Sequence, residues 1–200
     1  LEYMLQYCFI INDCTDSSPQ ILAEFARQQS GRVRLIHQDH HAPGGFRRGE
    51  YDFARLAGLR NLLLEAFGQS DCDYLFSLDS DILAPAGTLA QLLQDDCDMV
   101  SALVCNGHEI GDPGIYNILQ RGNDGSYMHI RNFPRDRVFP VDCTGAASLI
   151  KRNVFATGAR YSGERGGEDI AFCEAVAARG VTIYCDGRVE CSHIMQEKGS

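Results

Sequence analysis

The sequence is poor in positive charge. Its 18 lysine and arginine residues stand against 27 aspartate and glutamate residues, which gives a formal net charge of −9. Nucleic acids and anionic membranes are bound by basic surfaces, so this balance argues against both classes of partner. An acidic protein that handles phosphate needs local compensation, from a metal ion or from a few well-placed arginines.

Long apolar runs and closely paired cysteines are also absent. No run approaches the ~20 residues of a membrane span, and we expect neither a transmembrane segment nor a signal peptide. The nine cysteines are odd in number and form no Cys-x-x-Cys pair. This usage favours reduced, mostly buried thiols and a cytoplasmic location. A zinc site at Cys185, Cys191 and His193 is disfavoured, because a close-spaced pair and a fourth ligand are missing.

What the sequence does contain is an alternation of strands and helices over 200 residues, enough for one domain with a sizeable core. A strand, a helix and a second strand open the chain, and this order favours parallel pairing. We therefore predict an α/β domain with a mostly parallel sheet. The glycine- and proline-rich segment 105–140 predicts a small antiparallel or irregular insertion. The predicted strands are 7–11, 33–37, 74–78, 99–104 and 181–184, with helices beginning near 18, 52 and 168.

Two glycine-rich loops are candidates for a working role. Loops of this length in a compact domain are usually functional. The basic side chains of the first loop would suit a phosphate or an acceptor, although a solvated loop is the simpler explanation. The second loop is 158–167, and the first, 38–50, contains His40, His41, Arg47 and Arg48.

The central feature is the stretch that closes the strand 74–78. Asp79 and Asp81 follow this apolar run directly, at the place where open α/β sheets bind ligands. Strand alternation would point both carboxylates the same way. Hard oxygen ligands suit Mg²⁺ or Mn²⁺, and hence a phosphorylated substrate. The pattern Asp-x-Asp occurs three times in the chain, but only this pair closes a buried strand. The alternative is an Asx turn after the strand.

A series of motifs resembles a known family. In order, they are Ile-Asn-Asp-Cys-Thr-Asp, Leu-Arg-Asn, Leu-Asp-Ser-Asp, Thr-Gly-Ala-Ala-Ser-Leu-Ile-Lys-Arg, Gly-Gly-Glu-Asp-Ile-Ala-Phe-Cys and Val-Glu-Cys-Ser-His. The order resembles the nucleotide-sugar glycosyltransferases with the GT-A fold, most of all glycosyltransferase family 2, over about residues 7 to 193. The resemblance implies a single Rossmann-like, three-layer domain at 1–200, with a nucleotide-binding half at 1–104 and an acceptor-side half at 105–200. The family's first strand is not seen, so we expect it to precede Leu1 or to be missing.

The resemblance implies a donor site on the first half. Asp13 would contact the base or ribose of a UDP- or GDP-linked donor, and Asp16 would support its turn. Arg60 and Asn61 would lie on the helix behind the donor. The residues alone also permit a helix cap at Asp16, and Arg55 is open between a phosphate contact and a surface salt bridge.

The resemblance also implies a metal site. Asp79 would lie near the ribose and the metal, and Asp81 would bind Mn²⁺ or Mg²⁺ directly. His193 matches a late histidine of the family that often adds a third metal contact. A histidine whose hydrogen bonds are simply satisfied near the chain end is the alternative.

The catalytic residues implied by the resemblance are Asp169 and Glu168. Asp169 would be the general base of inverting transfer, and Glu168 would orient the loop or an acceptor hydroxyl. Gly145 and Ala146 would let a sugar approach the backbone. The simpler alternatives are acids that stabilise a helix N-terminus and small residues that pack tightly beside the sheet.

Together these features predict metal-dependent transfer of a sugar from a nucleoside-diphosphate sugar to the hydroxyl of a carbohydrate or other acceptor, with inversion. A nucleotidyltransferase that makes nucleotide-sugars is one alternative, but its usual Gly-rich, Lys/Arg-bearing loop after the first strand is not visible. A non-catalytic nucleotide- or carbohydrate-binding module of the same fold is the other.

Overall fold

The computed structural model describes residues 3–39, 52–107, 111–164 and 166–194. The chain divides into two compact units, and each is described by itself. The first unit comprises Leu1–Cys72 and Tyr161–Glu168, and the second comprises Asp73–Arg160 and Asp169–Ser200. The basic residues of the first glycine-rich loop, His40, His41, Arg47 and Arg48, lie outside the described residues.

The first unit has the predicted βαβ order. β1 (Tyr7–Ile11) and β2 (Val33–His37) pair in parallel, and α1 (Ser18–Gln28) connects them. Pro19 lies in the first turn of α1, where the N–H that proline lacks would have no helical partner. Parallel strands need such a crossover, so the local pattern was sufficient to predict this pairing.

Helix α2 (Phe53–Gly68) begins where the sequence predicts. The side chain of its N-cap, Asp52, accepts a hydrogen bond from the backbone N–H of Arg55 at 3.0 Å, which satisfies one amide of the first turn. Leu64 and Phe67 are among its buried residues.

The remaining elements of the chain, in order, are β3 (Tyr74–Leu78), β4 (Ile82–Leu83), α3 (Thr88–Gln94), β5 (Met99–Val104), β6 (Ile118–Arg121), β7 (Tyr127–His129), β8 (Val138–Val141), β9 (Cys143–Thr144), β10 (Ala147–Lys151), α4 (Arg152–Ala156), α5 (Glu168–Ala177) and β11 (Ile183–His193). The second unit is built on a six-stranded sheet with the order β3-β10-β5-β11-β4, and β8 also pairs with β11.

The prediction of a mostly parallel sheet is wrong for this unit. β5 and β11 pair in parallel, whereas β10 is antiparallel to both β3 and β5, and β4 and β8 are antiparallel to β11. β3 and β5 do run in the same direction, as the helical connection through α3 predicts, but β10 lies between them. Because β10 comes from much later in the chain, the local pattern around β3 and β5 could not reveal it.

The segment 105–140 contains the predicted antiparallel strands. β6 pairs antiparallel with β7 and with β9, and these strands form a three-stranded sheet. The single domain at 1–200, its two halves and a strand before Leu1 stay predictions.

The core of the second unit is centred on β5, whose six residues are all buried. Val100 and Leu149 pack with Leu92 of α3, while Ala102 and Val104 belong to a second cluster. Burial on both faces explains why nearly all residues of β5 are apolar. Among the described residues, no helix is both long enough and apolar enough to span a bilayer.

Candidate functional site

The predicted metal ligands lie in the turn that follows β3. The strand ends at Leu78, and the N–H of Ile82 donates to the carbonyl of Asp79 at 3.1 Å. Asp79 and Asp81 are therefore the first and third residues of a β-turn. Because β3 ends before Asp79, the alternation of side chains along a strand does not apply to these two residues. The structure corrects that part of the sequence argument.

Asp81 contacts His193 at the end of β11. The distance between Asp81 Oδ2 and His193 Nε2 is 3.1 Å, and the N–H of Ile194 donates to the Asp81 carbonyl at 2.7 Å. The antiparallel pairing of β4 with β11 creates this contact by setting Ile82 opposite His193. The imidazole is 15% exposed and the carboxylate 49% exposed, so this carboxylate is open to a ligand.

The Asp81–His193 pair fits two neighbouring ligands of a divalent cation. Ligands at about 2.1 Å from an octahedral ion lie about 3 Å apart at neighbouring positions. A carboxylate with an imidazole suits Mn²⁺ better than Mg²⁺, which prefers oxygen. Within the described ranges, no group of three or more histidine, cysteine, aspartate or glutamate residues could hold an ion. The full set with Asp79 therefore stays a prediction, and other ligands would have to come from substrate or water.

The zinc alternative gains nothing from the structure. Cys185 is fully buried, and burial raises the pKa of its thiol to about 12. Burial also raises the pKa of Cys191. Among the described residues, these cysteines and His193 belong to no group of three or more possible ligands that could hold an ion.

Gly145 lies directly against the carboxylate of Asp169. A Cβ built on Gly145 would lie 2.0 Å from Oδ2 and 2.5 Å from Cγ of Asp169. No side chain can occupy that space, so glycine is a steric requirement here. The sequence suggests a bare backbone that a sugar approaches, but in the structure the carboxylate of Asp169 fills the space beside Gly145.

The next residue, Ala146, has an unusual backbone conformation. Its φ is 66°, and the N–H of Ala147 donates to the Gly145 carbonyl at 2.8 Å. Residues 145–147 thus form the rare, positive-φ γ-turn, which costs about 1–3 kcal/mol at a non-glycine residue. The Ala146 carbonyl accepts from the backbone N–H of Asp79 at 2.9 Å. The γ-turn therefore connects the turn containing Asp79 with the glycine that Asp169 contacts.

Helix α5, which carries Asp169, is joined to the β6–β7 hairpin. The phenol of Tyr127 donates to Glu174 at 3.2 Å, and Arg121 approaches the same carboxylate at 3.7 Å. Burial, followed by the charge of Glu174, raises the pKa of Tyr127 to about 12, so the phenol remains a donor at neutral pH. Arg121 is half exposed, so we expect little stability from its ion pair.

In the first unit, the carboxylate of Asp13 is held by Arg55. Arg55 Nη2 lies 2.6 Å from Asp13 Oδ2, and Arg55 Nε donates to Asn12 Oδ1 at 3.1 Å. The two charged side chains are only 10% and 17% exposed, so this is not a surface salt bridge. Asp13 has a φ of 48°, a conformation that aspartate tolerates better than most residues. Arg55 therefore joins α2 to the end of β1 and orients Asp13.

Asp16 lies at the start of α1. Its Oδ1 accepts from the backbone N–H of Ser18 at 2.9 Å. This hydrogen bond holds the pKa of Asp16 below its ordinary value. The contact is compatible with both the support of the turn and the helix cap, so the role of Asp16 at a donor site stays a prediction.

Arg60 and Asn61 fasten the segment Tyr161–Glu168 to α2. Asn61 makes two hydrogen bonds with the backbone of Tyr161, donating to its carbonyl and accepting from its N–H, each at 3.0 Å. Arg60 Nε donates to Glu168 Oε1 at 3.2 Å, and its guanidinium lies 5.7 Å from the centre of the Tyr161 ring. Glu168 is buried, so loss of Arg60 would leave a buried carboxylate without this partner. Direct contact of these residues with substrate stays a prediction.

Sequence reasoning missed two asparagines next to the predicted site residues. Asn12 precedes Asp13 and shares Arg55 with it. Asn117 lies in the apolar run Ile-Tyr-Asn-Ile-Leu and is buried beside Gly145. A polar amide within an apolar run was the available signal, because a buried amide must find partners.

Comparisons with known proteins support the fold. No protein-family model matches the chain, and no curated protein sequence does. Among solved structures, GalNAc-T7 with UDP, GalNAc and Mn²⁺ is similar, with 15% identity over 97% of this chain and a TM-score of 0.66. The mannosyltransferase PcManGT from Pyrobaculum calidifontis, in complex with GDP-Man and Mn²⁺, is also similar, with 15% identity over 98% of this chain and a TM-score of 0.61.

These similarities show that the chain has the GT-A glycosyltransferase fold. The chain spans 38% of the length of GalNAc-T7 and 49% of the length of PcManGT. The placement in family 2 stays a prediction.

Proposed function

We propose that the chain is a family 2-like glycosyltransferase domain that transfers a sugar, with inversion, from a UDP- or GDP-linked donor to the hydroxyl of a carbohydrate or other acceptor. The observation that carries the proposal is the arrangement of the second unit. One γ-turn there connects the backbone of Asp79 with Gly145, the glycine against which the Asp169 carboxylate lies. The chain that contains this γ-turn has the GT-A fold. We also propose a cytoplasmic location, from the dispersed cysteines.

In this proposal Asp169 is the general base. Its carboxylate removes the proton of the acceptor hydroxyl while that oxygen attacks the anomeric carbon, and the bond from this carbon to the diphosphate breaks. The carboxylate occupies the space that a Cβ at Gly145 would fill. Glu168 is held by Arg60 and orients the segment that leads into α5.

We propose roles in donor binding for four of the predicted residues. Asp81 and His193 would hold Mn²⁺ or Mg²⁺, Asp79 would accept from the ribose, and Asp13 would accept from the base or ribose. When bound, the cation would supply positive charge opposite the departing diphosphate. Because Arg55 already holds the Asp13 carboxylate, a donor would find that group in place.

A thermal-shift screen of UDP-, GDP- and dTDP-sugars, with and without Mn²⁺, tests the donor site. A ligand at a hundred times its Kd stabilises the native state by about 2.7 kcal/mol, which raises Tm by about 5–10 °C in a chain of this size. We expect Asp81→Asn to abolish the Mn²⁺-dependent part of the shift. Asp98→Asn, which alters an exposed member of another Asp-x-Asp pair, should leave the shift intact.

Asp169→Asn separates the proposed function from its alternatives. A glycosyltransferase should lose turnover in this variant while it keeps the nucleotide-induced shift. A binding module would show the shift without turnover in the unmodified chain, and a nucleotidyltransferase would release pyrophosphate from a nucleoside triphosphate and a sugar phosphate. The absence of any shift with every nucleotide, with or without metal, would contradict the donor site.

A further inference from the structure

Asn117 is a buried side chain that bridges β5 and the γ-turn. It is only 7% exposed. Its Oδ1 accepts from the N–H of Val104 at 2.8 Å, and its Nδ2 donates to the carbonyls of Ala102 at 3.1 Å and Gly145 at 2.8 Å. A backbone N–H on one side and two carbonyls on the other leave one way to orient the amide. Both of its hydrogens and its oxygen are therefore in use.

The bond from Asn117 to Gly145 controls the orientation of a peptide group. The Gly145 carbonyl accepts twice, from Asn117 Nδ2 and from the N–H of Ala147, which uses both of its lone pairs. Turning this carbonyl would shift the Gly145 Cα and the Ala146 carbonyl together.

The strained φ of Ala146 makes this control necessary. A residue in such a conformation persists only when its surroundings over-determine it. Two bonds from outside the γ-turn do so here. One comes from the backbone N–H of Asp79 to the Ala146 carbonyl, and the other comes from Asn117 to the Gly145 carbonyl. Asn117 is itself fixed by β5, at the centre of the core.

We propose that Asn117 is a positioning residue. It acts through the Gly145 peptide to position both the carboxylate of Asp169, which lies against Gly145, and the backbone of Asp79. Its effect on catalysis rests on the proposed function. Its effect on the γ-turn does not, because the hydrogen bonds exist whatever reaction the site performs.

Native-state hydrogen exchange tests the coupling without any assay of activity. In Asn117→Ala, we expect the Asp79 amide to exchange about tenfold faster. This amide donates to the Ala146 carbonyl, and the γ-turn that holds this carbonyl has then lost one buried hydrogen bond. The matched control is Ser101→Ala. It removes a buried hydrogen bond of 2.7 Å to Thr144 Oγ1, an atom that Asn117 Nδ2 also approaches at 3.4 Å, but leaves the bond to the Gly145 carbonyl in place. Equal exchange at Asp79 in both variants would overturn the proposal.

Kinetics test the catalytic consequence. A displacement of about 1 Å in a catalytic group costs about a hundredfold in rate. We expect kcat to fall by about ten- to a hundredfold in Asn117→Ala, and the KM for donor to rise by a smaller factor, because Asp79 is one of several proposed donor contacts. Ser101→Ala should change kcat by less than about threefold. A general structural defect would lower the activity of the two variants alike, and that result would refute the positioning role.

The two proposals can fail separately. If the unmodified chain transfers no sugar, the proposed function fails, and the exchange of the Asp79 amide still decides whether Asn117 positions the turn. If Asn117→Ala does not fold, the Nδ2 protons of the unmodified chain decide. Slow exchange of both protons supports the two buried bonds, to Ala102 and to Gly145, whereas exchange of one of them at the rate of a solvated asparagine refutes the bond to Gly145.

Discussion

Replacing Gly145 by alanine should displace the carboxylate of Asp169. The added Cβ would lie 2.0 Å from Oδ2, 2.5 Å from Cγ and 3.0 Å from Oδ1, while real Cβ atoms essentially never approach another heavy atom within 3.0 Å. The carboxylate must therefore move by about 1 Å or more, or the γ-turn must open.

Two magnitudes follow from this overlap. Overpacking a well-packed region costs about 1–3 kcal/mol, and a chain of this size loses about 2–4 °C in Tm for each kcal/mol. A misplacement of about 1 Å at a catalytic group costs about a hundredfold in kcat. We therefore expect Gly145→Ala to fold, with a Tm lower by about 2–12 °C, and to lose about a hundredfold in sugar transfer.

A double-mutant cycle shows whether the collision with Asp169 is the cause. In an Asp169→Ala background the colliding atoms are gone, so Gly145→Ala should cost clearly less stability there than in the unmodified chain. Urea denaturation of the four proteins measures the difference. An equal cost in both backgrounds would refute the steric reasoning, whatever the activity.

Further predictions concern stability. Burial, and then the nearby Asp186 carboxylate, raise the pKa of Asp95 above its ordinary 3.8, so the stability that this carboxyl contributes is lost as pH rises through its folded pKa. As pH rises from about 4 to about 7, the free energy of unfolding of Asp95→Asn should therefore increase relative to that of the unmodified chain, as urea denaturation would measure. A difference in this free energy that does not change with pH would contradict the reasoning. Ala146→Gly relieves a positive φ, so the variant should keep its stability or gain up to about 1 kcal/mol. Ala147→Gly, at a buried strand position, should lose about 1 kcal/mol or more. Equal losses of stability in the two variants would show that Ala146 is not strained. Gly58→Ala lies in α2, where an added Cβ would meet no atom within 4 Å from the described residues beyond its own stretch of helix, and it should raise stability by about 0.5–1 kcal/mol, as thermal unfolding would show.

Local patterns were informative where neighbours in sequence are neighbours in space. The βαβ order of β1, α1 and β2 followed from turn residues and apolar runs, and Asp52 was predicted at the start of α2, which it caps. The apolar run 99–104 predicted a strand, and the structure has β5 there with all six residues buried. In each case one element and its own caps carry the information.

The candidate site was predicted residue by residue, but the reasons offered for it were partly wrong. Asp79 and Asp81 were expected to point the same way by strand alternation, yet they lie in a turn. Gly145 was expected to expose the backbone, yet it is covered by Asp169. The motifs named the candidate side chains, whereas the partners of those side chains depend on contacts between distant parts of the chain.

The sequence by itself determined the α/β composition, the first βαβ unit, the strand that precedes the two aspartates and the set of acidic candidates, because apolar periodicity and turn chemistry are local. Only the tertiary structure decided that β10 separates β3 from β5, that β4 brings Asp81 to His193, and that Asn117 holds the Gly145 turn beneath Asp169. The physical reason is that strand pairing and the partners of buried polar groups are chosen by competition over the whole chain, and a local pattern carries no record of that choice.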